Sequence, residues 1–315
     1  MMTLQEKLFE VNILNVDYFG LDPIYLDFPC EIHFTRFGRC SGLHNEINPI
    51  RFENRDAYKV FVSSNEPAHC PSREPGWRII QNAHQYDLVL TTDEDVLINT
   101  PNAVLFPYGT TWLSKNKDHH NDSLGNFNDN ILNEISEKKF EVSFMTTNHV
   151  GVPGYEMRRL IWNNRNLITN PTLFYSSTRF ITNEPNWRGV LFSDTIHDGL
   201  LPNDDKINLF NSQFSIAIEN NKEKWYFSEK LIDCLITKSV PVYWGCSDIG
   251  RFFDERGIIT FDTPQEFFEK VNSIDETTYE KMLPYIEKNY ELAKQYSGSI
   301  FERVKQEVLK VKNAN

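Results

Sequence analysis

Short apolar runs separated by polar turns dominate the first part of the chain. Residues 57–64, 86–92 and 103–109 each form an apolar run of strand length. The stretch from Trp77 to His84 has the spacing of a short helix. Strands that alternate with helices predict an α/β layer in this part of the chain.

The second part of the chain opens with another strand and helix pattern. Residues 140–148 predict a strand. After Gly151, Pro153 and Gly154, the segment 155–168 has helical spacing. A strand that runs into a helix is the beginning of a further α/β unit.

The same order of elements recurs between residues 214 and 244. A strand at 214–218 leads through a polar loop to Ser228, a residue type that favours the N-cap of a helix. The helix has one apolar face, and the next strand follows at 240–244; the face is formed by Leu231, Ile232, Leu235 and Ile236. So short a crossover predicts parallel strands, which bind ligands at their carboxyl ends. The loop 219–227 lies at such an end.

Residues 114–139 separate the two regions. They are polar, rich in Asn, Asp and Lys, and have little apolar periodicity, as in a surface connection. The 315 residues also exceed what one compact α/β unit needs. We therefore predict two domains, 1–138 and 139–315, with helices from the strand at 257–261 to the end.

The charge and the targeting pattern narrow the class of protein. The 44 acidic residues outnumber the 32 basic ones, giving a net charge of -12, which argues against nucleic acid or an anionic membrane as partner. The N-terminal segment MMTLQEKLFEVNIL lacks the pattern of an export signal, and no apolar run has membrane-spanning length. We expect a cytoplasmic protein with no membrane span. Its five scattered cysteines predict reduced thiols rather than disulfides or a zinc site.

The densest group of polar side chains lies between the strand at 214–218 and the following helix. It comprises Glu219, Asn220, Tyr226, Ser228, Glu229 and Lys230. A helix start suits a phosphate because of its unpaired N–H groups, and Lys230 adds a full charge there. A lysine in the first turn opposes the helix dipole, so an anion is expected beside it. On spacing alone, a solvated loop before an ordinary capped helix explains the pattern equally well.

This stretch, FSIAIENNKEKWYFSEKLIDCLITKSVPVYWGCSDIGRFFD, resembles the donor-binding signature of glycosyltransferase family ten, the α-1,3-fucosyltransferases. The resemblance implies that Glu219, Asn220, Tyr226, Glu229 and Lys230 hold GDP-fucose. It also implies the GT-B fold, in which two Rossmann-like domains face each other across a cleft. The N-terminal domain would bind the acceptor and the C-terminal domain the donor.

Two further segments extend the resemblance. SFMTTNHVGVPGYEMRRLIW is similar to the family's strand, loop and arginine, which implies that Arg158 contacts the diphosphate, with Arg159 as the alternative. SSNEPAHCP, followed by YDLVLTTDEDV and FPYG, is similar to the family's acceptor-domain motifs. The glutamate there implies that Glu66 is the catalytic base. His69 is the alternative, because its ordinary pKa lies near working pH.

The run Asp93-Glu94-Asp95 has two readings. An Asp-x-Asp at a strand end resembles the manganese motif of the other large glycosyltransferase fold, and carboxylate oxygens suit that metal. A capped acidic turn is favoured, because Arg158 and Lys230 can neutralise the diphosphate without a metal. His119 and His120 lie in the polar connection without partners at ligand spacing. We therefore predict no metal site and no tightly bound cofactor.

Aromatic residues flank these motifs and can serve either the core or a sugar-stacking surface. They are Tyr108, Trp112, Trp225 and Trp244, and the core is the commoner role. Trp244 ends a predicted buried strand, so we assign it to the core.

Together these patterns predict an inverting glycosyltransferase that moves fucose from GDP-fucose to a hydroxyl of a glycan. The alternatives are a GT-B transferase with another nucleotide sugar, or a non-catalytic relative that binds sugar or nucleotide.

Overall fold

The structure is a computed structural model. It describes residues 8–14, 24–34, 50–63, 74–113, 132–133, 135, 137–147, 151–176 and 206–314. The chain divides into two compact units: Met1–Tyr108 together with Ser299–Asn315, and Gly109–Gly298.

The first unit contains a parallel sheet of five strands and a short antiparallel pair. Its strands are β1 (Phe9–Glu10), β2 (Asn12–Leu14), β3 (Tyr25–Leu26), β4 (Cys30–Phe34), β5 (Tyr58–Ser63), β6 (Leu88–Thr91) and β7 (Ala103–Leu105). The large sheet has the order β2-β4-β5-β6-β7, and β1 pairs with β3. The helices of this unit are α1 (Gly76–Asn82), α2 (Glu94–Asn99) and the last helix of the chain, Ile300–Ala314.

The second unit contains another parallel sheet of five strands. They are β8 (Lys139–Thr146), β9 (Thr172–Ser176), β10 (Ser212–Ile218), β11 (Val240–Trp244) and β12 (Ile259–Thr260), in the order β12-β11-β10-β8-β9. Its helices are α3 (Pro153–Asn163), α4 (Glu229–Ile236), α5 (Pro264–Asn272) and α6 (Thr278–Ser297), so the last helix is α7. β10 is the central strand.

The α/β class predicted from the sequence is confirmed in both units. Two Rossmann-like α/β units in one chain are the components of the GT-B fold. β11 matches its predicted bounds, whereas β7 ends at Leu105 rather than at residue 109. Pro107 accounts for this early end, because proline has no N–H to donate to a neighbouring strand. No described helix combines the length and apolar content that a membrane-spanning segment needs.

The division into units differs from the predicted boundary at residues 138 and 139. α7 belongs with the first unit, where its Phe301 ring lies 5.5 Å from that of Phe34. The Arg303 guanidinium donates hydrogen bonds to the carbonyl oxygens of Pro107 (2.6 Å) and Tyr108 (3.2 Å). Residues 109–138, in contrast, belong to the second unit, where Leu113 joins the core. The sequence predicts that α7 is amphipathic but does not specify the sheet on which it packs.

The apolar face predicted for α4 lies in the core of the second unit. Leu231, Ile232, Leu235 and Ile236 are all buried, with Tyr296 of α6 in the same cluster. A separate cluster includes Phe214 of β10, Ile161 of α3 and Phe267 of α5. A central strand buried among helices in this way reads as a continuous apolar run, as the segment 214–218 does.

A buried polar network lies in the first unit. His33 is fully buried, with Nε2 2.7 Å from Glu31 Oε1 and Nδ1 2.7 Å from the Tyr86 hydroxyl. Glu31 also accepts hydrogen bonds from the backbone N–H groups of Glu53 (2.9 Å) and Asn54 (3.0 Å). With Nε2–H donating to Glu31, the neutral ring accepts from Tyr86 at Nδ1. Burial lowers the pKa of His33, although Glu31 opposes this effect.

We predict that this network makes the unfolding free energy depend on pH. The pKa of His33 is lower in the folded chain than in the unfolded chain, so folding favours the neutral ring. Its contribution is therefore complete above pH of about 6.5 and is lost as the pH falls below that value. Urea unfolding of the wild type and of His33→Gln from pH 8 to pH 5 measures it. An equal pH dependence of the two proteins would contradict the assignment.

Candidate functional site

The predicted donor residues surround the carboxyl end of β10. Glu219 and Asn220 follow this strand directly, and the Glu219 N–H donates to the Trp244 carbonyl oxygen at 2.8 Å. That bond extends the pairing of β10 with β11 by one residue. The site therefore begins at the central strand of a parallel sheet, where such sheets bind ligands.

Glu219 is fully buried and holds the start of α4. Its Oε1 accepts from the Ser228 N–H at 2.8 Å, and its Oε2 accepts from the Ser228 hydroxyl at 2.6 Å. Ser228 is the N-cap of α4, as predicted, and its hydroxyl oxygen accepts from the Lys230 N–H at 3.4 Å. Burial raises the pKa of Glu219, although Lys230 opposes the shift. Both carboxylate oxygens of Glu219 thus bond within the protein.

A glycine makes room for this carboxylate. A Cβ added to Gly245 would lie 2.5 Å from Glu219 Cγ and 2.4 Å from the Tyr243 hydroxyl oxygen. The Tyr243 hydroxyl in turn accepts from the Cys246 N–H at 2.9 Å. Position 245 therefore cannot carry a side chain while Glu219 and Tyr243 keep their places.

Lys230 has carboxylate partners within the protein. Its Nζ lies 2.9 Å from Glu229 Oε1 and 3.8 Å from Glu219 Oε2, and its side chain is 20% exposed. Burial alone would raise the pKa of Glu229, but Lys230 and Lys206 lower it to about 2. The anion that the sequence led us to expect beside Lys230 is thus supplied by the chain itself.

Arg158 extends from α3 to the same strand end. Its Nε donates to the Ile218 carbonyl oxygen at 3.1 Å, and Nη2 donates to the same oxygen and to Asn220 Oδ1, the latter at 2.9 Å. Its guanidinium carbon lies 5.1 Å from the centre of the Tyr155 ring. Arg159, the alternative, forms an ion pair with Glu156 on α3 instead. Arg158 is therefore the arginine that lies beside the loop.

The first turn of α3 touches the loop at a second glycine. The Gly154 N–H donates to the Asn220 carbonyl oxygen at 3.0 Å, and a Cβ there would lie 1.8 Å from the Glu219 carbonyl oxygen. The N-termini of α3 and α4 therefore both lie next to residues 219–220. Helix N-termini carry partial positive charge, so two of them favour an anion at this place.

The structure brings together all seven predicted donor residues: Arg158, Glu219, Asn220, Tyr226, Ser228, Glu229 and Lys230. Tyr226 and Ser228 are fully buried, and Asn220 is 3% exposed. The sequence did not identify Gly154 and Gly245 as parts of the site. The only available signal was their position in the segments GVPG and VYWG, since contacts made by an absent side chain leave no pattern.

Several predicted residues lie apart from this group. Glu66, His69, His119 and His120 lie outside the described residues. Asp93 is the N-cap of α2: its Oδ1 accepts from the Val96 N–H at 3.1 Å, which confirms the capped turn. Within the ranges that the structure describes, no three His, Cys, Asp or Glu side chains are grouped as metal ligands.

Trp244 is 8% exposed and Tyr108 5%, so both are buried, and the core assignment of Trp244 is confirmed. Trp225 is partly buried, and its Nε1 donates to Asp248 Oδ2 at 3.1 Å.

The chain is similar to fucosyltransferases over about a fifth of its length. It is 26% identical over 62 residues to an α-(1,3)-fucosyltransferase of Helicobacter pylori, covering 20% of this chain and 13% of that protein. It is 34% identical over 77 residues to a proposed fucosyltransferase of Acanthamoeba polyphaga mimivirus, covering 23% and 13%. The matched segments thus span about an eighth of each relative. No family model matches the chain.

Solved glycosyltransferase structures show a weaker likeness over more of the chain. A crystal structure of an α1,3-fucosyltransferase with GDP-fucose is 17% identical and covers 78% of this chain and 76% of that one, with a TM-score of 0.45. The pneumococcal O-GlcNAc transferase GtfA, with UDP and GlcNAc, is 11% identical over 82% and 53%, also with a TM-score of 0.45. TM-scores below 0.5 decide neither the fold nor the activity.

We predict that Gly245→Ala destabilises the second unit by about 1–3 kcal/mol, because the added methyl group overlaps Glu219 and Tyr243. Gly298→Ala is the matched control, because a Cβ at Gly298 meets nothing within 4 Å. It should change the unfolding free energy by less than about 0.5 kcal/mol. Urea unfolding of both variants measures the difference. Equal stability of the two would show that Glu219 does not occupy the space beside Gly245.

Proposed function

We propose that the chain is a glycosyltransferase that moves fucose from GDP-fucose to a hydroxyl of a glycan acceptor. The observation that supports this most is the gathering of Arg158, Asn220, Glu229 and Lys230 at the end of the central strand β10. These residues come from two helices and a loop. The local sequence similarity to fucosyltransferases points to the same activity.

In the proposed reaction, the diphosphate of the donor lies against Lys230, Arg158 and the N-termini of α3 and α4. The leaving diphosphate gains negative charge as the bond to the sugar breaks, so positive groups fixed beside it stabilise the transition state more than the ground state. Arg158 is held by Ile218 and Asn220, and α4 is held by Glu219, so neither needs to reorganise during the reaction. The proposal needs no metal ion for this charge.

The acceptor hydroxyl attacks the anomeric carbon while a carboxylate removes its proton, and the anomeric configuration inverts. A general base contributes about 10² to 10⁴ to such a rate. We propose Glu66 for this role, with His69 as the alternative. A donor with another nucleotide, or a relative that binds without transfer, is the other candidate function. The buried ion pair of Lys230 with Glu229 suits the second, because that pair holds the lysine without a ligand.

We predict that Lys230→Ala weakens GDP binding at least tenfold, because it removes the most accessible cation of the group. Titration calorimetry with GDP measures this for the wild type and the variant. Lys310→Ala is the control, since the side chain of Lys310 is 72% exposed and lies on α7. GDP binding that persists unchanged in Lys230→Ala would remove Lys230 from the site. If the wild type fails to bind GDP, UDP and dTDP are the next ligands to test.

We predict that Glu66→Gln abolishes fucose transfer but leaves the GDP affinity within about twofold of the wild type. The amide cannot accept the acceptor's proton, whereas the diphosphate site contains no part of residue 66. Transfer from GDP-fucose to a glycan panel, measured beside GDP calorimetry, separates the two effects. If transfer continues in this variant and stops in His69→Ala, the histidine is the base.

A further inference from the structure

Trp112 presents an exposed indole in the second unit. It is 46% exposed, whereas Trp162 and Trp244 of the same unit are 1% and 8% exposed. Tryptophan is a large apolar side chain that is mostly buried in soluble proteins. An indole that a protein holds at its surface offers a rigid apolar face to a ligand.

A buried carboxylate fixes the segment that carries this indole. Asp233 Oδ1 accepts from the Trp112 N–H at 3.0 Å and from the Thr111 hydroxyl at 2.7 Å. The Thr111 hydroxyl oxygen accepts in turn from the Leu113 N–H at 3.1 Å. Asp233 is 1% exposed, and burial raises its pKa, although Lys206 opposes the shift. A buried carboxylate is costly unless its hydrogen bonds are made, so this arrangement holds Trp112 in one place.

Lys206 joins Trp112 to the candidate donor site. Its Nζ lies 3.3 Å from Asp233 Oδ2 and 4.8 Å from the centre of the Trp112 ring. Lys206 also lowers the pKa of Glu229. Glu229 and Asp233 are four residues apart on α4, which places them on one face about 6 Å apart along the axis. Trp112 therefore lies about one helical turn from the pair Glu229–Lys230.

We propose that Trp112 is the stacking platform for the hexose ring of the nucleotide-sugar donor. The inference rests on the proposed function, in which Lys230 holds the diphosphate. The hexose is bonded directly to the second phosphate, and its length is comparable with a helical turn of about 5.4 Å. The apolar C–H face of the hexose packs on the indole, and the Lys206 ammonium donates hydrogen bonds to its hydroxyls. Trp112 then contributes to the choice of donor sugar, because the orientation of the hydroxyls decides which sugars have a flat apolar face.

The test compares the affinities of GDP and GDP-fucose by titration calorimetry, without acceptor. Trp112→Ala should weaken GDP-fucose about tenfold and leave GDP within about twofold, because only the sugar loses a contact. Trp112→Phe should keep most of the GDP-fucose affinity, since it retains an aromatic face. Trp77→Ala is the matched control: Trp77 is 64% exposed and lies on α1 of the first unit, and both affinities should match the wild type.

Two results would overturn the inference while the proposed function stands. One is a Trp112→Ala protein that binds GDP-fucose as the wild type does. The other is an equal loss of GDP and GDP-fucose affinity, which would assign the indole to the nucleotide or to the support of the loop. A wild type that binds neither ligand would instead refute the proposed GDP-dependent function, and this inference with it.

Discussion

The position of α4 relative to β10 depends on one buried carboxylate, that of Glu219. The side chain leaves the end of the strand and accepts both hydrogen bonds that Ser228 can donate, through its N–H and its hydroxyl. A carboxylate removed from water in this way is stable only when its oxygens are bonded, and removal of either partner leaves an uncompensated polar group. The same contact requires a glycine at position 245. The site geometry therefore follows from backbone and buried side chains rather than from flexible surface residues.

The charges of the site are already paired in the absence of a ligand. Lys230 contacts Glu229, whose pKa of about 2 keeps it ionised at any working pH, and Arg158 donates to Ile218 and Asn220. An arriving diphosphate therefore shares or replaces existing partners rather than meeting bare cations. Affinity is the difference between the new and the old contacts, and the two helix N-termini add to the new side of that difference.

Most of the elements around the site were predictable from the sequence. The apolar run of β11 and the N-cap of α4 have local signals, a continuous buried strand and a serine before an apolar helix. The choice of Arg158 over Arg159 was left open, because adjacent helix residues point in different directions and only the structure gives the rotation of α3.

Long-range contacts were not predictable. Asp233 bonds to Trp112, 121 residues earlier in the chain, and α7 packs with the first unit. Neither contact has a local pattern: an aspartate on a helix reads as exposed, and an amphipathic helix does not specify its partner. The pairing of Lys230 with Glu229 was also missed, because the sequence suggested an external anion for a lysine in the first turn of a helix.

The residues of the candidate site have structural and binding roles at once, which limits what a loss of activity can show. Replacement of Glu219 or Ser228 would displace the start of α4, so activity would fall whether or not either residue touches the donor. Lys230 differs, because its side chain is partly exposed and its removal leaves the bonds between Glu219 and Ser228 in place. GDP affinity in Lys230→Ala, measured beside unchanged stability, therefore reports on binding itself, whereas the buried residues report first on the framework.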